Sequence, residues 1–180
     1  MKKTYGLRIV IVNGRPGSGK TTFEDKCNKI LGMAYCERRS TVDKVKEIAR
    51  KAGWDGRKDE KSRKMLSDLK DIFTEYNDMP FKDVCESLQE WEYEIQYYNV
   101  GDHPHVFFID DREPEHIERM NNELGAITVL IRRPGDEDII TSNHADEKVF
   151  QYEYDYEIQN DGSLDDLEMQ ARVFLNSIFS

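Results

Sequence analysis

Residues Gly14-Arg15-Pro16-Gly17-Ser18-Gly19-Lys20-Thr21 fit the pattern G-x-x-x-x-G-K-[ST] at every position. The flanks are the ones this pattern needs. Before it runs Leu7-Arg8-Ile9-Val10-Ile11-Val12-Asn13, an apolar, β-branched segment that reads as a strand buried on both faces. After it, helical periodicity extends from about Lys20 to Leu31 and stops at Gly32. A strand, a glycine loop and a helix in that order point to an α/β fold whose first turn wraps an anion. Glycines let backbone N–H groups close around phosphate oxygens, and the helix adds the positive end of its dipole. Lys20 is placed to reach the β- and γ-phosphates of a nucleoside triphosphate, and the Thr21 hydroxyl to ligate Mg2+.

Further along, strand and helix signals alternate. Met33 to Arg38 reads as a second strand, and Ser40-Thr41-x-Asp43 as the cap of a helix ending near Ala52. A turn-rich loop, Trp54 to Asp59, leads to two helical stretches, about 60–76 and 81–98, with Pro80 fitting the first turn of the second. His105 to Asp110 is a third strand, Pro114 to Leu124 a helix, and Ile127 to Ile131 a fourth strand. The polar residues 134–148 read as a flap. Tyr154 to Gln159 alternate as a fifth strand before an amphipathic helix at 163–178. This order predicts a three-layer α/β/α sandwich around a parallel sheet. With 180 residues and no internal repeat, it also predicts one domain over 1–180, with a helical insertion at about 40–100 and a short flap at about 132–148.

Charge excludes some partners. A net charge of −10 argues against broad binding to nucleic acid or anionic membranes, which need a basic face. No apolar run is long enough to span a bilayer, and no leader cleavage site follows the N-terminal apolar stretch; a cytoplasmic location is expected. Cys27, Cys36 and Cys85 lack CxxC spacing and read as small fillers, and the four histidines form no metal pattern. Tyr93 and Tyr97, four apart beside Trp91 and Tyr98, read first as one core-facing helix side and second as a base-stacking surface; for Trp54 the two readings stand level.

The basic residues cluster where small phosphates could be held. Asp110 closes the third strand, where an acid could hold the metal; Asp111 beside it could do the same or touch substrate. Arg112 follows, and Arg132 and Arg133 leave the fourth strand at the same end of the sheet, where ligands bind in open α/β folds. Phosphoryl transfer needs positioning and cations around the moving group, which such arginines could supply. The N-K-x-D and D-x-x-G elements of a guanine-nucleotide switch are missing.

With these motifs in hand, the chain resembles the nucleoside and deoxynucleoside monophosphate kinases of the P-loop superfamily over nearly its full length. The short bacterial and phage-type enzymes are most similar. The matching segments are Gly14 to Thr21, Ser40-Thr41-Val42-Asp43, Asp110-Asp111-Arg112-Glu113-Pro114, Arg132-Arg133-Pro134 and Asn160-Asp161-Gly162-Ser163. The resemblance implies a five-stranded sheet of order 2-3-1-4-5, ATP with Mg2+ as donor, and a small monophosphate acceptor under the helices after strand two. It implies that Arg38, Arg63 and Arg112, with Asp43 and Asp111, face the acceptor, and that Arg132 and Arg133 act on the transition state from the flap. Gly14 to Thr21 with Thr22 would hold the phosphates, Thr21 and Asp110 the metal, and Asn160 the edge of the adenine. The chain departs from the Asp-Gly-x-Pro-Arg signature of adenylate kinases and has no long lid, which leaves a phosphomevalonate-like acceptor as an alternative. A non-catalytic ATP-binding module is a further one. A monomer or homodimer is expected.

Overall fold

The computed structural model describes residues 6–32, 34–98, 100, 102–135 and 148–180. Five strands, β1 (Leu7–Asn13), β2 (Cys36–Ser40), β3 (His105–Asp110), β4 (Ile127–Arg132) and β5 (Tyr156–Gln159), form one sheet of order β2-β3-β1-β4-β5. Every neighbouring pair is parallel. Between them lie α1 (Lys20–Leu31), α2 (Asp43–Lys51), α3 (Glu60–Asn77), α4 (Met79–Tyr97), α5 (Pro114–Leu124) and α6 (Leu164–Ile178). The expected flap falls mostly on 136–147, outside the described residues.

The central strands show why their apolar runs are continuous. Successive side chains point to opposite faces. Val10 and Val12 of β1 join Phe23 and Cys27 of α1 and Leu167, Ala171 and Phe174 of α6 on one face. Ile11 joins Val84, Leu88 and Trp91 of α4 and Ile117 and Met120 of α5 on the other. A strand with helices on both sides can spare neither face for polar residues. At the edge the rule relaxes. β2 reads Cys-Glu-Arg-Arg-Ser, pairs with β3 alone, and starts three residues later than its apolar residues suggest.

β4 and β5 are fastened by side-chain hydrogen bonds at their entry. The Asp155 carboxylate accepts from the Thr128 amide and hydroxyl, both at 2.8 Å, and the Thr128 hydroxyl accepts from the Asp155 amide at 2.9 Å. Thr128 is buried. Asp155→Ala strands its donors and is expected to cost about 2 kcal/mol, roughly 4–8 °C in Tm for a chain of this size. Thermal denaturation checks this; an unchanged Tm would mean water replaces the carboxylate without loss. Among the described residues, no helix is long and apolar enough to cross a membrane.

Candidate phosphate site and its acceptor side

The loop between β1 and α1 is shaped by positive φ angles at Gly14 (149°), Gly17 (85°) and Gly19 (103°). It closes as a turn, with Ser18 N donating to Arg15 O at 3.1 Å. Gly19 caps α1 without a side-chain hydrogen bond, so the first-turn amides, which a helix cannot satisfy internally, suit an anion. Ser18 is fully buried, and its hydroxyl has no protein partner among the described residues. Lys20 folds back over the loop, donating to the carbonyls of Gly14 and of Arg15, the latter at 3.1 Å. Thr21 is exposed and Thr22 half-buried. A glycine cradle, a lysine held across it and a hydroxyl at the first helical turn fit a triphosphate with its magnesium ion.

Neighbouring elements brace this loop. Asn13, buried at the end of β1, accepts from Gly14 N at 2.7 Å and donates to the Tyr154 hydroxyl at 2.6 Å. Asn160 donates its side-chain amide to Ser18 O at 2.8 Å, and its backbone N–H to Arg132 O at 2.7 Å. The side chain expected to edge a base is therefore engaged in holding the loop. Asn160→Ala should cost the brace about 1 kcal/mol, roughly fivefold in nucleotide affinity. Titration with a fluorescent ATP analogue checks this, and unchanged affinity would make the bond incidental.

Asp110 stands at the end of β3, half-buried and within the fields of Lys20, Arg38 and Arg112; burial outweighs these cations and raises its carboxyl above the ordinary range. Facing it is a residue the sequence pattern did not single out. Glu24 lies one helical turn after Lys20, only 2% exposed, and accepts from Arg38 Nη1 at 2.7 Å. Burial, and then the charge of Asp110, pushes the Glu24 carboxyl up to about 8, against the Arg38 hydrogen bond. The i,i+4 spacing from Lys20 is its one signal in the sequence. Arg38, expected to meet an acceptor phosphate, is instead paired with Glu24 and lies 3.6 Å from Asp25.

The other expected acceptor residues divide. Arg63 is exposed on α3, and its side chain makes no hydrogen bond or ion pair among the described residues. Arg112 is half-buried beside Asp110. Asp43 is taken up locally: its carboxylate accepts from Ser40 N at 2.8 Å and pairs with Lys46 at 2.9 Å. Asp111 is turned inward. Its side chain is fully enclosed, and although burial alone would raise its carboxyl, Lys70 and His116 hold it well below the usual range. Its oxygens are engaged by Lys70 at 3.3 Å and by the backbone amides of Arg112 and Glu113.

Beyond β4, Arg133 extends to Gly17 O at 3.4 Å. Arg132 turns toward Glu157, 3.3 Å away, and lies over the Phe150 ring, which Arg15 of the loop also faces.

The tyrosines correct the core-face reading. Trp91 is buried, but Tyr93 and Tyr97 are 67% and 69% exposed and stack on each other. Trp91 lies 5.6 Å from His105, which pairs with Leu7 at the start of β1. This end of α4 is therefore opposite the phosphate loop, which removes the tyrosines as a stacking surface for an acceptor base. Trp54 is half-buried with the Arg50 guanidinium over its ring.

No family model and no curated protein matches the chain. Among solved structures it is similar to a shikimate kinase from Aquifex aeolicus, with 11% identity over 94% of this chain and 97% of that one and a TM-score of 0.46. A sugar kinase from Janibacter sp. matches with 15% identity over 94% and 95% and a TM-score of 0.47. A Thermus thermophilus protein matches with 17% identity over 97% and 100% and a TM-score of 0.45. Such scores and identities are too low to bear on the acceptor.

Proposed function

We propose that this chain transfers the γ-phosphoryl group of ATP to a nucleoside or deoxynucleoside monophosphate, giving the diphosphate. The observation that carries this reading is the gathering of Lys20, Asp110 and Arg112 at one end of a parallel sheet, beside the helical lobe α2–α4. A simple nucleotide anchor would not need Arg112 beside that acid in addition to Lys20. The glycine cradle and Lys20 hold the donor phosphates, and Thr21 with Asp110 holds magnesium, which neutralises charge on the phosphate oxygens. Arg112 and Arg63 take the acceptor phosphate, while Arg133, already reaching the loop at Gly17, supplies charge to the group in transit. Because Arg38 is committed to Glu24, its part is to satisfy that buried carboxyl group next to the metal-binding acid.

The test is ADP formation from Mg·ATP with a panel of ribo- and deoxynucleoside monophosphates. Turnover with at least one of them above the acceptor-free rate is expected. No acceleration by any member, with ATP binding intact, would sink the nucleotide version and leave another small phosphorylated acceptor or a binding module.

A further inference from the structure

The helix α3 packs on α2 and α4, and its middle carries a lysine that reaches out of the helical lobe. Lys70 is 5% exposed. Its ammonium lies 3.0 Å from Glu113 Oε1 and 3.3 Å from Asp111 Oδ1, in the turn after β3. The same Asp111 oxygen accepts from the backbone amides of Arg112 at 2.6 Å and Glu113 at 3.0 Å. The turn that presents Arg112 is thus folded around one carboxylate, and that carboxylate is anchored to α3.

Asp111, Glu113 and His116 place their ligand atoms within 4.8 Å of one another, close enough to suggest a metal centre. Lys70 argues otherwise, because its ammonium already supplies the positive charge at two of the three. His116 closes the far side, 3.6 Å from Asp111 Oδ2 and 3.7 Å from Glu113 Oε2. A buried ion pair adds little net stability over a well-packed apolar substitute. What this one supplies is a directional link between two parts of the molecule.

We propose that Lys70 is a positioning residue for phosphoryl transfer, pinning the acceptor-side helix α3 to the turn that sets Arg112. Displacement of α3 as the acceptor enters is passed through Asp111 to the Arg112 backbone. This role rests on the kinase reading above, since it assigns Arg112 to the acceptor phosphate.

Two variants test it. Lys70→Met keeps the stem and removes the charge; Glu113→Gln leaves Lys70 on Asp111 and weakens the pin. Each is assayed for Mg·ATP affinity, for kcat and acceptor KM with the monophosphate turned over fastest in the panel, and for deuterium uptake in peptides covering 14–21 and 111–116. Lys70→Met is expected to lower kcat/KM for the acceptor about tenfold or more, and to raise uptake at 111–116. Mg·ATP affinity and uptake at 14–21 should hold within about twofold. Glu113→Gln should move in the same direction by a smaller factor, and it carries the test alone if Lys70→Met fails to fold. Acceptor kinetics unchanged in the folded variants, or a parallel loss of ATP binding, would overturn the proposal. Should the wild type use no monophosphate, the kinase reading fails separately; uptake at 111–116 then decides the pin, raised in its favour and unchanged against it.

Discussion

Lys20→Ala is expected to lower phosphoryl transfer about 100- to 1,000-fold, the usual loss when one preorganised donor to the reacting group is removed. In the structure the Lys20 ammonium is held across the loop by the carbonyls of Gly14 and Arg15, within the field of Asp110. Those contacts keep the charge over the cradle before any phosphate arrives. The fold itself should barely register the change, within about 1 kcal/mol, because the lysine is half-buried and its partners can turn to water. Two measurements separate these effects. Steady-state transfer with Mg·ATP and a monophosphate should collapse while the ligand-free Tm holds. The rise in stability that saturating ATP confers on the wild type, about 2.7 kcal/mol at a hundredfold excess over Kd, should shrink. Transfer that survives the substitution would place the reaction elsewhere.

Gly14→Ala is expected to damage the fold as well as the site. At φ 149° the residue lies where a side chain is strained, and an added Cβ would sit 2.5 Å from the Ile131 carbonyl oxygen and 2.6 Å from Ser18 Oγ. The serine can rotate. The carbonyl belongs to β4 and moves only with the sheet. Strain and collision together should cost about 3 kcal/mol, or roughly 6–12 °C in Tm, with nucleotide binding lost. Gly17 provides the comparison: its φ is 85°, but nothing lies within 4 Å of an added Cβ. Gly17→Ala should therefore carry strain without collision and melt closer to the wild type. Equal Tm values for the two variants would contradict this account of the loop.

How far the chain could be read in advance depended on whether the signal was local. The helix from Lys20 to Leu31 and the helix from Pro114 to Leu124 are found at the expected residues because glycine and proline mark their ends. β2 was displaced because an edge strand of charged residues has no apolar period. Its limits come from pairing Cys36 to Ser40 with Val106 to Asp110. Tyr93 and Tyr97 have helical spacing yet face outward, since periodicity gives a shared side of a helix but not what covers it.

The same division runs through the site. Gly14 to Thr21 was legible because backbone curvature, helix start and lysine reach are all set within eight consecutive residues. Partners of charge were not, since no local rule links Glu24 to Arg38 or Lys70 to Asp111. By itself the sequence determined an α/β chain with a phosphate-binding loop and an acid at the end of the third strand. Tertiary structure alone decided which charged groups remain available for a ligand. Burial forces each enclosed carboxylate to find a cation, so Glu24 takes Arg38 and Asp111 takes Lys70, while Arg63 stays exposed on the helical lobe.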